Sequence, residues 1–109
     1  MPQGPLVVAS VQPGGISNKF NVTAAGVVKA TPGTLYRIVV QAPGTTSGSL
    51  VLNDCATTGA AAASNQIFSL LYSAMSIGQI FELEWPCLVG IVVSAVPTAG
   101  SPIYTLSYS

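Results

Sequence analysis

Residues 80–97 read IFELEWPCLVGIVVSAVP, and they contain the longest apolar run of the chain and its single tryptophan. The first half of this stretch alternates between two faces, with Phe81, Leu83 and Trp85 on one and Glu82 and Glu84 on the other. A period of two is typical of a β-strand that buries one face. The pattern predicts a half-buried strand that places Trp85 in the core.

The second half of the stretch, residues 88–96, is apolar on both faces of a strand. Such a strand lies either in the centre of a layered core or beneath another chain. Leu88 and Val92 are therefore candidate interface residues.

On both sides of this stretch, short apolar segments alternate with turns that contain Pro and Gly. Further strands are predicted at residues 22–30, 35–42, 49–55, 67–73 and 103–109. On the 35–42 strand, the expected core face is Tyr36, Ile38 and Val40, and the opposite face is Arg37 and Gln41. The alanine-rich residues 57–65 fall short of the roughly 12 residues that a free helix needs, so we expect a loop with one helical turn at most.

About seven strands, with a turn signal roughly every 8 to 12 residues, indicate an all-β sandwich or barrel. No helical crossover separates the strands, so the sheets should be mainly antiparallel. The sequence predicts an all-β fold, a single antiparallel β-sandwich over residues 22–109 with a jelly-roll or Ig-like Greek-key topology.

Residues 1–21 differ from the rest, because prolines at positions 2, 5 and 13 and glycines at positions 4, 14 and 15 interrupt them. Proline fixes φ and removes a hydrogen-bond donor, so this segment is predicted to be an extended N-terminal arm outside the sandwich. Its apolar residues are candidates for docking on a neighbouring subunit, and they are Leu6, Val7, Val8 and Ile16. Deletion of the arm should then leave the thermal midpoint nearly unchanged.

Charged residues make up only 6% of the chain, against about 25% in a typical soluble domain. Three basic and three acidic residues give a net charge of zero, and such a surface has little electrostatic repulsion to oppose association. We expect a homo-oligomer, with a trimer as the first choice. Tyr104 and Tyr108 are further candidate interface residues, since the C-terminal strand otherwise carries Thr105 and Ser107.

Several classes of partner are disfavoured. Three scattered cations cannot form the basic stripe that a nucleic-acid-binding protein needs. No apolar run approaches the roughly 20 residues that span a bilayer. The first residues, MPQGP, lack the basic and apolar regions of a signal peptide, so we expect synthesis in the cytoplasm.

The sequence offers little for catalysis. It contains no histidine, which removes the Ser-His-Asp and Cys-His nucleophile pairs and the commonest zinc ligand. Glu82 and Glu84 would project about 7 Å apart from one strand face, as glycosidase carboxylates can, but the solvent face of a strand is the favoured interpretation. Asn53 and Asp54 supply too little charge for a calcium site. We predict no catalytic residue, no cofactor and no metal, and hence no enzyme.

Cys55 and Cys87 are the only cysteines, and no C-x-x-C motif is present. Each lies at the end of a predicted strand, so a bridge between neighbouring strands remains an alternative. Cytoplasmic thiols usually stay reduced, which favours two unbridged thiols.

Three segments resemble small virion proteins of tailed bacteriophages, namely AAGVVKATPGTLYRIVV from residue 24, FELEWPCLVGIVVSAVP from residue 81 and the terminal IYTLSYS. Those proteins are similar to one another in the pattern G-V-(I/V)-K-A-x-P-G-x-L-(Y/x)-R-(I/V). They also share a later (W/F)-P-C-x-x-G-(I/L)-x-(V/I) and a terminal strand. The resemblance covers residues 24–109 and leaves the N-terminal arm outside.

The resemblance implies a virion component. In such phages, small β-sandwich proteins decorate or cement the capsid, commonly as trimers, so the major capsid protein is the implied partner and the arm would dock on a neighbouring subunit or on the capsid. A receptor- or glycan-binding module of a tail or fibre is the alternative, for which exposed aromatic side chains in a groove would be the distinguishing feature. The candidates for such a platform are Trp85 and the four tyrosines.

Overall fold

The computed structural model describes residues 17–109, which form eight β-strands and three single 3-10 turns. The strands are β1 Ser17–Val22, β2 Gly26–Lys29, β3 Gly33–Ala42, β4 Ser49–Asn53, β5 Gln66–Leu71, β6 Ile80–Cys87, β7 Ile91–Ala95 and β8 Ile103–Tyr108. The 3-10 turns are Thr58–Ala60, Ala63–Asn65 and Tyr72–Ala74. The predicted all-β class is confirmed; β2 lies within the strand predicted at residues 22–30, whereas β1 falls almost wholly in the predicted arm.

Two four-stranded sheets form the sandwich, with strand orders β1-β8-β3-β6 and β2-β7-β4-β5. Strand β1 pairs with β8, β2 with β7, β3 with β6 and β4 with β5, all antiparallel. This nesting of first strand with last results when one long antiparallel hairpin is rolled up, and it is the jelly-roll topology. Of the two topologies that the sequence left open, the chain therefore adopts the jelly roll.

The core lies between the sheets and receives large side chains from both. Its most deeply buried members are Leu35, Ile38, Val40, Tyr104 and Leu106 from one sheet and Leu50, Leu52, Ile91 and Val93 from the other. Burial of a side chain of this size stabilises the fold by about 1.5–3 kcal/mol. These contacts between sheets hold the two layers together.

Strand β3 departs from strict alternation at Tyr36. Adjacent β8 residues pair with Leu35 and Arg37, so Tyr36 is an extra residue in β3, which is a β-bulge. The bulge places Leu35 on the core face with Ile38 and Val40, where the alternating pattern had predicted Tyr36. Arg37 lies on the opposite face, as predicted.

Strand β7 is buried on both faces, but by its own chain. Ile91 and Val93 face the other sheet and belong to the core. Val92 pairs with Asn53 on the outer face, and Asn53 donates hydrogen bonds to Ala62 O and to Asn65 Oδ1. The alanine-rich loop is thereby held over this face, so Val92 lies beneath residues 57–65 and is not available to a second chain.

The predicted boundary between arm and sandwich, after Asn21, falls inside β1. Ser17, Asn18 and Lys19 pair with β8, and Val22 at the end of β1 is 7% exposed. A deletion of residues 1–21 would therefore remove most of an edge strand. The rest of the predicted arm lies outside the described residues, with its candidate interface residues Leu6, Val7, Val8 and Ile16.

Cys55 and Cys87 are both buried and both free. Burial, together with the negative charge of Asp54, raises the pKa of the Cys87 thiol to about 11. The thiolate is the reactive form of cysteine, so this thiol should react slowly while the protein is folded.

We expect alkylation of the native protein at pH 8 to label neither cysteine within the time that labels both in denaturant without reductant. Intact-mass measurement gives the number of labels. If the denatured, unreduced protein takes up no label, the two cysteines form a disulfide.

Candidate functional site

Most of the exposed large apolar side chains of the described residues lie along one side of the sandwich, where β5 and β6 are the edge strands of the two sheets. Among the described residues, six of the eight large apolar side chains that are exposed belong to residues 71–89. They are Leu71, Ile77, Ile80, Trp85, Leu88 and Val89, whereas Phe20 and Val27 lie on β1 and β2. This side of the molecule is therefore the strongest candidate for a binding surface.

An open groove of about 580 Å³ occupies one end of this side. Its apolar lining is Ile67, Trp85, Pro86, Leu88 and Val89, and its polar lining is Asp54, Ser64, Asn65 and Gln66. The lining thus comes from the residue after β4, the 3-10 turn Ala63–Asn65, the start of β5, the end of β6 and the turn between β6 and β7.

Trp85 is half-exposed in this groove, with 51% of its surface accessible. It pairs with the buried Leu35, so it lies on the face of β6 that is directed toward the other sheet. Among the described strands β6 is the edge of its sheet, so none of the others covers the indole on the outer side. The alternation correctly predicted which way Trp85 faces, but the predicted core position is wrong.

The carboxylate of Asp54 holds the turn that forms one wall of the groove. Its Oδ2 accepts a hydrogen bond from the backbone N–H of Leu88 at 2.9 Å, and its Oδ1 accepts from those of Val89 at 2.8 Å and Gly90 at 3.1 Å. Burial raises the pKa of this carboxyl group, but the three N–H donors outweigh burial, and the net pKa lies below its ordinary value. These three hydrogen bonds hold the turn in a conformation that exposes the side chains of Leu88 and Val89 to solvent.

Asn53, next to this carboxylate, has a structural role. Besides its two donated hydrogen bonds, its Oδ1 accepts one from Ser94 Oγ at 2.6 Å, so the amide is fully used inside the protein. Among residues 17–109 no group of three or more His, Cys, Asp or Glu side chains could hold a metal ion. Asn53 therefore holds the loop of residues 57–65, and Asp54 holds the turn at residues 88–90. No pattern in the sequence predicted either set of hydrogen bonds.

Glu82 and Glu84 are both exposed on edge strand β6. Glu82 Oε2 lies 3.6 Å from Arg37 Nε on the neighbouring strand. Glu84 has a left-handed backbone with φ of 48°. Charged side chains at an edge oppose pairing with a further strand.

The other three candidate interface residues within the described part of the chain differ in their exposure to solvent. Leu88 is 77% exposed. Tyr104 is fully buried, and its hydroxyl donates to Pro43 O at 3.2 Å, so it lies in the core and not at a surface. Tyr108 is partly buried against the core.

The four edge strands differ in their protection against further pairing. Strand β1 carries Lys19 and an irregular register, β2 has four residues and Lys29, and β6 carries two glutamates and Pro86. Charge, proline, short length and bulges are the usual means of blocking an edge. Strand β5, which reads QIFSLL, has no charge and no proline.

The one irregularity of β5 lies at its start, opposite Leu52 and Asn53. Residues 68–71 pair regularly with β4, and β5 has no second partner strand among the described residues. Its outer edge therefore presents unpaired backbone N–H and C=O groups next to apolar side chains.

Comparison of the chain with protein-family models, with curated proteins and with solved structures finds no match. Within residues 17–109, no helix has the length and apolar character required to cross a bilayer.

Proposed function

We propose that this protein is a non-enzymatic virion structural protein of a tailed bacteriophage. It decorates or cements the capsid through contacts between its own copies, with a trimer favoured, and through contacts with the major capsid protein. Assembly takes place in the host cytoplasm, and no cofactor, nucleic acid or membrane takes part. The sequence resemblance supplies the virion component of this proposal.

The observation that carries the assembly role is the unprotected edge of β5. An exposed strand edge without charge or proline is a template for pairing with another chain. Leu71, Ile77 and Ile80 add exposed apolar surface at and after the end of this strand. With a net charge of zero, little long-range repulsion opposes the approach of a second copy.

The fold is compatible with this role. Jelly-roll sandwiches serve as viral capsid domains, and they also serve as lectin domains. Since one fold hosts many functions, this likeness is an analogy at the level of fold and adds only modest support.

A lysine at the β5 edge should weaken self-association. We expect the wild-type protein to form a discrete oligomer at micromolar concentration, and Leu71→Lys to shift it toward monomer. Light scattering coupled to size-exclusion chromatography measures both. Phe20→Lys is the matched control, because Phe20 is also exposed, at 67%, but lies on edge strand β1. An oligomer lost equally in both variants would contradict the assignment to β5.

The virion role has its own test. Mass spectrometry of purified particles should detect the protein at a fixed copy number relative to the major capsid protein. Absence from particles would exclude the virion role even if the protein is oligomeric.

A receptor- or glycan-binding module is the second candidate, and the groove at Trp85 favours it. A half-exposed indole beside Ser64, Asn65 and Gln66 joins an apolar platform to side chains that can form hydrogen bonds. Titration with oligosaccharides should then shift the Trp85 fluorescence, and Trp85→Ala should abolish binding while Phe20→Ala does not. A panel without any saturable response would reject this candidate.

A further inference from the structure

The sandwich of the described residues has two sides, and each side is formed by one edge strand from each sheet. Strands β1 and β2 are edges of different sheets and are joined by residues 23–25 alone, so they lie on the same side. Strands β5 and β6 are the opposite edges, and the rings of Phe68 and Phe81 contact each other there, with centroids 5.4 Å apart. The β1/β2 side and the β5/β6 side therefore face away from each other.

The charges of the protein are divided between these two sides. Lys19 lies on β1 and Lys29 on β2, whereas Glu82 and Glu84 lie on β6. The chain has a net charge of zero, but its fold separates positive charge on the β1/β2 side from negative charge on the β5/β6 side. A neutral protein of this kind can still present two electrostatically complementary surfaces.

Lys19 and Glu84 are the charges of each side that are available to a partner. Lys29 Nζ donates a hydrogen bond to a backbone oxygen at 2.9 Å, and Glu82 lies beside Arg37. Lys19 and Glu84 are both exposed, and within residues 17–109 neither takes part in a salt bridge. A pair formed between copies would therefore not have to break an ion pair inside either copy.

We propose that copies of this protein pack head to tail, with the β5/β6 side of one copy against the β1/β2 side of the next and Glu84 facing Lys19 of the neighbour. This contact, which presupposes the self-association proposed above, uses two different surfaces of the same chain. Such a contact closes into a ring where the rotation between copies allows it, and otherwise continues as a filament. A ring of three copies is the trimer.

The direction of the strands suits this arrangement. Each sheet has four strands and all neighbouring strands are antiparallel, so the two edges of a sheet run in opposite directions. A second copy related by rotation about an axis parallel to the strands keeps its strand directions. Its β2 then lies antiparallel to the open edge of β5, and the exposed Val27 and Leu71 on these two strands come within reach of each other.

Contact between two like sides is disfavoured by charge. Two β5/β6 sides related by a twofold axis would bring two β6 strands together, each carrying Glu82 and Glu84. Two β1/β2 sides would likewise bring lysines together. Like charges placed opposite each other across an interface oppose association, so the head-to-tail contact is the one that joins opposite charges.

Charge reversal tests this contact. Lys19→Glu and Glu84→Lys should each raise the dissociation constant of the oligomer by about tenfold at low ionic strength, since each replaces an attraction by a repulsion. The double variant Lys19→Glu/Glu84→Lys should return to the wild-type value. Thr46→Glu and Thr46→Lys are matched controls, because exposed Thr46 lies in the loop between the central strands β3 and β4. Sedimentation velocity measures the dissociation constants.

Position 20 on β1 gives a second test, in which only the sign of the new charge differs. Phe20→Glu places a negative charge on the side that faces Glu84 of the neighbour and should weaken the oligomer. Phe20→Lys adds a positive charge to the same side and should leave it intact. Leu71→Lys adds a positive charge to the β5/β6 side, opposite the lysines of the neighbour, and should weaken the oligomer for the same reason.

A dissociation constant that is unchanged by Lys19→Glu would overturn the head-to-tail contact, and so would equal behaviour of Phe20→Glu and Phe20→Lys. A folded double variant without recovery would overturn it as well. If circular dichroism shows that the double variant is unfolded, the two substitutions at position 20 decide. A wild type that stays monomeric would overturn this contact together with the proposed self-association, whereas mass spectrometry of particles tests the virion role separately.

Discussion

Gly90→Ala should destabilise the protein by about 3 kcal/mol, near the upper end of the usual cost of overpacking. A Cβ atom at this position would lie 2.7 Å from Lys29 O and still closer to Cys55 O. Both neighbours are backbone atoms of packed segments, so no flexible side chain can move aside. Gly90 is itself buried and immediately precedes β7, which is a central strand. Urea unfolding monitored by circular dichroism measures the loss.

Gly26→Ala and Gly59→Ala are matched controls for this substitution. Neither added methyl group would meet any atom of residues 17–109 within 4 Å, and neither residue has a positive φ. Both variants should therefore remain within about 1 kcal/mol of the wild type. If Gly90→Ala lowers the free energy of unfolding no more than these controls do, the backbone at Lys29 and Cys55 can move away from position 90 at little cost, which would contradict the prediction.

Asp54→Ala should cost about 2 kcal/mol, because it removes three hydrogen bonds to a charged acceptor at once. Water can replace the carboxylate at the N–H groups of the exposed Leu88 and Val89, but Gly90 is buried. Asp54→Asn is the matched variant. It retains one oxygen and turns a donor toward the Leu88 N–H, so about half of the loss is expected. Unfolding in urea at pH 7 ranks the three proteins.

The same residue should give a dependence of stability on pH. The folded-state pKa of Asp54 lies below its ordinary value, so its stabilisation is complete well above the unfolded pKa of about 3.9 and is lost as pH falls through the folded value. The difference in unfolding free energy between wild type and Asp54→Asn should therefore shrink between about pH 5 and pH 2. A difference that stays constant over this range would mean that the carboxylate charge does not stabilise the turn.

Local pattern was sufficient to predict the class and layer structure of this protein. Alternation in β6, the apolar β7 and the regular turns predicted an antiparallel sandwich without helices, because each strand must bury one face against another layer. The same reasoning correctly assigned Ile38 and Val40 to the inner face. It also assigned Arg37 and Gln41 to the opposite face, since these features depend only on a period of two.

Tertiary structure decided the features that depend on which strands become neighbours. Trp85 is half-exposed because β6 became an edge, and Val92 is buried because the loop of residues 57–65 folded over β7. The bulge at Tyr36 places Leu35 in the core instead of the predicted Tyr36.

The candidate surfaces illustrate the same division. The lack of charge and proline in β5 is visible in the sequence, but its position at an edge follows only from the jelly-roll order of strands. Asp54 reaches its three N–H donors across 34 to 36 residues of chain. The sequence by itself determined seven of the eight strands, β2 to β8, and most of their buried faces, since neighbouring residues encode these, whereas strand β1, the edges, the groove and the turn held by Asp54 required contacts that only the folded chain creates.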